Sequence, residues 1–130
     1  MVAKNYELKI PAHSCIISLA ANCNQEENLA EARRRLSQIL FSTTYTEAIW
    51  TEPFKHPDSP LYLNQLVYAK TSLTAEELES KLKTIERDMG RTPADRQQGI
   101  VCIDLDLMQH DDTRYHLRDW ERPYIQQLLR

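Results

Sequence analysis

From Thr74 to Gly90 the chain carries the start and stop signals of one bounded helix. Thr74 and Glu77 have the spacing of a capping box, in which each side chain satisfies the other's exposed backbone amide. Leu78, Leu82, Ile85 and Met89 recur at spacings of four, three and four, which lines a single helical face. Gly90 stands where a helix C-cap belongs, and Pro93 follows shortly after. A helix with one apolar face must bury it against another layer. The flanking segments supply one. Leu61–Thr71 reads as a strand, and Ile100–Met108 as a second with sharp apolar–polar alternation. The stretch between the helix and that last strand, residues 91–99, is polar and loop-like.

The amino-terminal half repeats the theme. His13–Ala20 is a short apolar run long enough for one buried strand. Asn22 or Asn24 then caps a helix with Glu26 and Glu27 in its first turn and Leu29, Ala32, Leu36, Ile39 and Leu40 at helical spacing. Arg33, Arg34 and Arg35 are expected to divide between its solvent face and its edges. Thr43–Thr51 is rich in β-branched and aromatic residues and reads as one strand. Residues 52–60 contain Pro53, Pro57 and Pro60 and form a loop whose length points to function. The order is β-α-β-β-α-β, so the expected class is α+β: a ferredoxin-like antiparallel sheet with both helices on one face. Residues 1–130 are read as one domain, with 1–12 an N-terminal extension.

Composition narrows the function. Only two glycines occur in 130 residues. A Walker-type phosphate loop and a dinucleotide fingerprint both need glycines at fixed spacing, and neither pattern is present. Phosphate would have to be held by side chains and metal. A formal net charge of −3 argues against a strongly cationic nucleic-acid binder. RNA-recognition modules share this element order, but their third strand needs glycines between aromatics, and Leu61–Lys70 has none. Cys15, Cys23 and Cys102 form no C-x-x-C pair and are expected to be reduced, mostly buried thiols. No run approaches the roughly 18 apolar residues of a membrane span, and the first residues lack the apolar run of a signal peptide. The expected setting is the cytoplasm, with no membrane and no nucleic acid as partner.

The sharpest chemical feature lies on the last strand. Alternation sends Ile103, Leu105 and Leu107 one way and Cys102, Asp104 and Asp106 the other. The two aspartates then stand roughly 6.5–7 Å apart at their α-carbons on one face, a spacing that suits Mg²⁺ shared with substrate phosphates. A polar solvent face is the alternative reading of the same alternation. Tyr62 and Asn64 share a face of the preceding strand, an aromatic platform beside a hydrogen-bonding amide. Downstream, Arg114, His116, Arg118 and Arg122 interleave with Tyr115, Trp120 and Tyr124, either to clamp phosphates and stack a base or as a solvated tail.

Together these residues resemble a known family. Thr51-x-Pro53, Tyr62-Leu63-Asn64, Thr71-Ser72-Leu73-x-x-Glu76-Glu77-Leu78, Ile85-Glu86-x-x-x-Gly90-Arg91 and Ile103-Asp104-Leu105-Asp106-Leu107 resemble, in order, 6-hydroxymethyl-7,8-dihydropterin pyrophosphokinase of folate biosynthesis. The resemblance covers about Cys15 to Tyr124 and implies transfer of pyrophosphate from ATP to the pterin alcohol, with release of AMP. It implies that Asp104 and Asp106 hold two Mg²⁺ ions and count, with Arg91, as the catalytic set. It implies a pterin pocket of Thr51, Pro53, Phe54, Tyr62, Asn64 and Tyr124, and an ATP side lined by Glu86, Arg91, His116 and Arg122. Residues 91–99 would be a mobile loop, 109–130 a shortened C-terminal segment, and the chain a monomer or weak homodimer. Where the family has Gly-Ser-Asn-Leu-Gly, this chain reads Ala20-Ala21-Asn22-Cys23-Asn24. Where the family has Arg-Trp-Gly-Pro-Arg, it reads Gln97-Gln98-Gly99-Ile100-Val101, and Pro93 replaces a further loop arginine. The alternative function is therefore a catalytically degenerate homologue that binds pterin or nucleotide as a regulatory or partner module.

Overall fold

The structure, a computed structural model, describes residues 12–53, 58, 60–90 and 92–130, without the Arg96 side chain. Its elements are β1 (His13–Ala21), α1 (Gln25–Leu36), β2 (Phe41–Tyr45), β3 (Ile49–Thr51), β4 (Tyr62–Thr71), α2 (Ala75–Asp88), α3 (Pro93–Gln97), β5 (Asp104–His110), β6 (Thr113–Arg114), α4 (Leu117–Trp120) and α5 (Pro123–Leu128). The six strands form one sheet in the order β2-β4-β1-β5-β6, with β3 also pairing with β4, and each pairing is antiparallel. That is the α+β, ferredoxin-like arrangement expected from the element order.

Alternation explains how the layers close. Ile17, Leu19 and Ala21 of β1, Leu63 and Val67 of β4, and Ile103, Leu105 and Leu107 around β5 point to one face. There they meet Leu29, Ala32 and Leu36 of α1 and Leu78, Leu82 and Ile85 of α2. Helix α2 begins with the expected capping box: Thr74 Oγ1 accepts the Glu77 N–H at 3.1 Å, and Glu77 Oε1 accepts the Thr74 N–H at 2.9 Å. It ends at Gly90, whose φ of 94° is a left-handed conformation that a side chain would strain.

Several boundaries differ from the sequence reading, each for a local reason. The 43–51 strand is two strands, because Thr46 folds out of the ladder: its N–H donates to the Leu66 carbonyl at 2.9 Å, but the Leu66 N–H goes to the Thr46 hydroxyl at 3.0 Å in place of its carbonyl. Asn24 occupies the N-cap position of α1 with left-handed backbone, but its side chain makes no capping bond. The 91–99 loop contains α3, with Pro93 at its first position and Thr92 Oγ1 accepting the Asp95 N–H at 3.1 Å. The last strand starts at Asp104 rather than residue 100 and runs to His110. Cys15 is buried, whereas Cys23 and Cys102 are only partly so, and all three are free thiols. Arg34 and Arg35 pair with Glu31 on the surface, while Arg33 reaches in to Gln65 Oε1 at 2.9 Å.

The segment after β5 is no solvated tail. It turns back through β6 and lays α4 and α5 on the open face of the sheet, where Trp120, Ile125 and Leu128 bury against Leu66 and Met108. Helices of four and six residues are far too short to persist alone, so this contact is what orders them. No helix among the described residues is long and apolar enough to cross a membrane.

Candidate active site

The open face of the sheet carries Asn64, Asp104 and Asp106, and cross-strand register decides what meets there. Ala20 pairs with Asn64 on one side and with Asp104 on the other, while Ser18 pairs with Leu66 and Asp106. Directly paired residues project to the same face. Asn64, Ala20 and Asp104 therefore form one row across β4, β1 and β5, and the next row is Leu66, Ser18 and Asp106. Two strand spacings separate the amide from the carboxylate, roughly 10 Å. Between them the side chains are an alanine methyl and a serine hydroxyl, so the floor of the cleft is low. Sequence reasoning missed Ala20 and Ser18, because a small residue becomes a floor only once its neighbours are known.

The two carboxylates crowd each other. Burial, and then the charge of Asp104, push the Asp106 carboxyl up to about 6, with Glu86 adding in the same direction. His116 and Lys83 oppose this, and His116 Nε2 stands 3.8 Å from Asp106 Oδ1. His116 reaches that position from a left-handed backbone at φ 55°, where the chain enters α4. Tyr124 of α5 joins the same field. Its hydroxyl is pushed up to about 12, first by burial and Asp119, with Asp106 and Asp104 contributing and Arg122 opposing. Five of the expected site residues, Asn64, Asp104, Asp106, His116 and Tyr124, are thus brought to the open face of the sheet.

The amide end is built by β3 and β4. Thr51 pairs with Tyr62, and Ile49 with Asn64, so all four side chains share the open face. Asn64 is buried, and its NH₂ group donates to Thr51 Oγ1 at 2.7 Å and to the Ile49 carbonyl at 3.2 Å. Its two-way character narrows accordingly: with the donors engaged, the atom it offers a ligand is the acceptor Oδ1. Pro53 is half-buried beyond β3; Phe54 and Arg91 lie outside the described residues.

Two residues expected on the ATP side are tied into the fold. Glu86 is buried on α2, and its Oε2 accepts the Leu105 N–H at 2.8 Å between the two aspartates. It thereby satisfies a ladder position on the edge of β5 and holds that strand to α2. Arg122 donates to Asp119 Oδ1 at 2.7 Å at the start of α5. Asn22, one of the two N-cap candidates for α1, has a different role, since Asn24 takes the cap position. Its buried side chain donates to the Gly99 carbonyl and accepts the Val101 N–H, both at 2.6 Å, which fastens the approach to β5 against the end of β1. A separate cavity of about 360 Å³ lies farther along the open face, lined in part by Ser14, Tyr68, Lys70 and Gln109. None of its described lining residues carries a carboxylate.

Comparison with known proteins points the same way. Residues 16–130 match the family model described as 7,8-dihydro-6-hydroxymethylpterin-pyrophosphokinase. The folate synthesis bifunctional protein, mitochondrial, of Arabidopsis thaliana is 34% identical over 129 residues, covering 92% of this chain and 23% of that protein. A second Arabidopsis thaliana folate synthesis bifunctional protein is 32% identical over 120 residues, covering 85% and 25%. The mitochondrial folate synthesis bifunctional protein of Pisum sativum is 32% identical over 129 residues, covering 92% and 25%. The chain spans about a quarter of the length of these curated relatives.

Proposed function

Because the chain belongs to the 7,8-dihydro-6-hydroxymethylpterin-pyrophosphokinase family, we propose that it transfers pyrophosphate from ATP to 6-hydroxymethyl-7,8-dihydropterin in folate biosynthesis, releasing AMP. The observation that carries this reading is the row Asn64, Ala20, Asp104, with an acceptor amide at one end of a low-floored cleft and a carboxylate pair at the other. Asn64 Oδ1 would take a ring N–H of the pterin, with Thr51, Pro53, Phe54 and Tyr62 shaping that end. Tyr124 would stack on the ring from the side closed by α5, excluding water there.

The donor set fits a hard divalent cation. Burial and the neighbouring Asp104 charge disfavour the ionised form of Asp106, and a positive charge beside the pair would relieve both effects. Two Mg²⁺ ions held by Asp104 and Asp106 would supply neutralisation of phosphate charge and alignment of the in-line displacement. Glu86 keeps the carboxylates at their spacing through the Leu105 N–H. His116, beside Asp106, would bring a donor to the phosphate side, and the family resemblance assigns Arg91 and Arg122 to the same role. We read residues 1–130 as one pyrophosphokinase-like domain acting as a monomer or weak homodimer in the cytoplasm, with no nucleic-acid or membrane partner.

The test is a coupled AMP-release assay with ATP, the pterin alcohol and millimolar Mg²⁺. AMP and pterin diphosphate should appear in equal amounts, and Asp106→Asn should lower the rate by on the order of 10²–10³. The absence of the family's Trp and Arg residues from 97–101 favours the second reading, a binding homologue without turnover. That reading expects pterin binding by calorimetry that survives both Asp104→Asn and Asp106→Asn, and no AMP above background.

A further inference from the structure

Strand β1 has a second chemically equipped end at His13, five to seven residues from Ser18 and Ala20 and so roughly 17–23 Å along the strand from the rows that carry Asp106 and Asp104. His13 opens β1, and Cys15 pairs with His110 at the end of β5. The register of β1 on β5 shifts between Ile16 and Ile17, so Ile16 faces Gln109 while Ile17 faces Leu107. The extra residue turns His110 onto the face shared by His13 and Cys15; an unbroken ladder would send it to the other face. His13 and His110 consequently stack, ring centroids 4.6 Å apart and tilted by 35°. The next residue, Asp111, adopts a left-handed φ of 50° and brings its carboxylate back to both rings. His13 Nδ1 lies 2.7 Å from Asp111 Oδ2, and His110 Nδ1 lies 3.9 Å from the same oxygen.

We propose that His13, His110 and Asp111 form a binding site for a first-row transition ion, Zn²⁺ foremost, separate from the Mg²⁺ site. One ligand atom from each residue lies within 4.8 Å of the others. Ligands around tetrahedral zinc sit about 3.3 Å apart, given bonds of about 2.0–2.1 Å, so adjustments of at most about 1.5 Å suffice. The supporting contacts have the required sense. His110 Nε2 lies 3.0 Å from the Leu73 carbonyl, which only an N–H can satisfy, so Nδ1 keeps its lone pair for a metal. Asp111 Oδ1 accepts the Ser14 N–H at 3.1 Å, which orients Oδ2 toward the rings. On binding, the ion takes the place of the hydrogen now shared by His13 Nδ1 and Asp111 Oδ2; that proton passes to solvent, and the ring binds as the neutral tautomer that carries its hydrogen on Nε2. Two imidazoles and one carboxylate favour zinc or a neighbouring transition ion over Mg²⁺ or Ca²⁺, which prefer all-oxygen shells. His110 is buried and Asp111 is exposed, so the ion enters from the Asp111 side and water completes its shell. Bound there, it ties the start of β1 to the β5–β6 hairpin that leads into α4 and α5.

The experiment uses the full chain with Cys23→Ser and Cys102→Ser, which removes the accessible thiols as competing ligands. Zn²⁺ is titrated by calorimetry, and Co²⁺ is added as a spectroscopic probe. The expected result is one equivalent of Zn²⁺ per chain at micromolar affinity, with Co²⁺ d–d bands and no thiolate charge-transfer band. Affinity should fall at least about tenfold in His13→Gln and in Asp111→Asn, both partly exposed positions, and stay unchanged in Asp104→Asn. Saturable Zn²⁺ raises Tm in the parent chain and not in Asp111→Asn. No saturable binding, binding indifferent to both substitutions, loss in Asp104→Asn, or a thiolate band would each overturn the site.

Discussion

Asp106 is held in a place that disfavours its own charge. Its folded carboxyl titrates at about 6 against an ordinary 3.8. Between those values the folded chain binds more protons than the unfolded one. The contribution to stability is therefore complete below about pH 3.8 and is lost as pH rises through about 6. Asp106→Asn should raise the stability of the ion-free protein at neutral pH by on the order of 2–3 kcal/mol while lowering the transfer rate, and flatten its pH dependence between pH 4 and 7. Denaturant melts across that range, with and without the substitution, measure both. Asn22 is the opposite kind of residue. Asn22→Ala strands a buried carbonyl and a backbone N–H and should cost about 2–4 kcal/mol, read by the same melts. The identity of both residues was visible in the sequence. Their burdens were not, since Val101 lies 79 positions from Asn22 and no local pattern connects them.

At the scale of elements, the sequence was most informative where signals are local. The capping box, the apolar stripe of α2 and Gly90 are contacts among near neighbours, and the helix forms where they put it. Thr74→Ala should lower stability by about 1 kcal/mol, measured as a shift in denaturation midpoint. The 43–51 segment was legible as extended chain but not as two strands, because Thr46 leaves the ladder for a partner on β4. Helices α4 and α5 were illegible for a related reason: neither is long enough to have a periodicity, and both exist by contact with Leu66 and Met108. Ile125→Ala in that contact should cost about 2–4 kcal/mol, and through the loosened α5 should weaken pterin binding more than nucleotide binding. Calorimetry with each ligand distinguishes the two effects.

At the scale of the molecule, β1 is the axis. It pairs with β4 and β5 along most of its length, and each of its ends serves a different group of side chains. If the carboxylate end holds the nucleotide, Mg²⁺ with ATP should raise Tm in the parent chain and not in Asp104→Asn, and chelation by EDTA should reverse the shift and stop AMP release. The chain's order of elements, its helix boundaries, the alternation that separates Asp104 and Asp106 from the core, and the ordered motifs of a pterin pyrophosphokinase all follow from residues close together in sequence. Periodicity and capping are short-range physics, so the sequence by itself determined them. The tertiary structure alone decided that Asn64 and Asp104 share a row through Ala20, that the tail closes one side of the cleft, and that a single register shift turns His110 toward His13. Each of those depends on pairing between residues some 40 to 100 positions apart, where one residue of slip sends a side chain to the other face of the sheet.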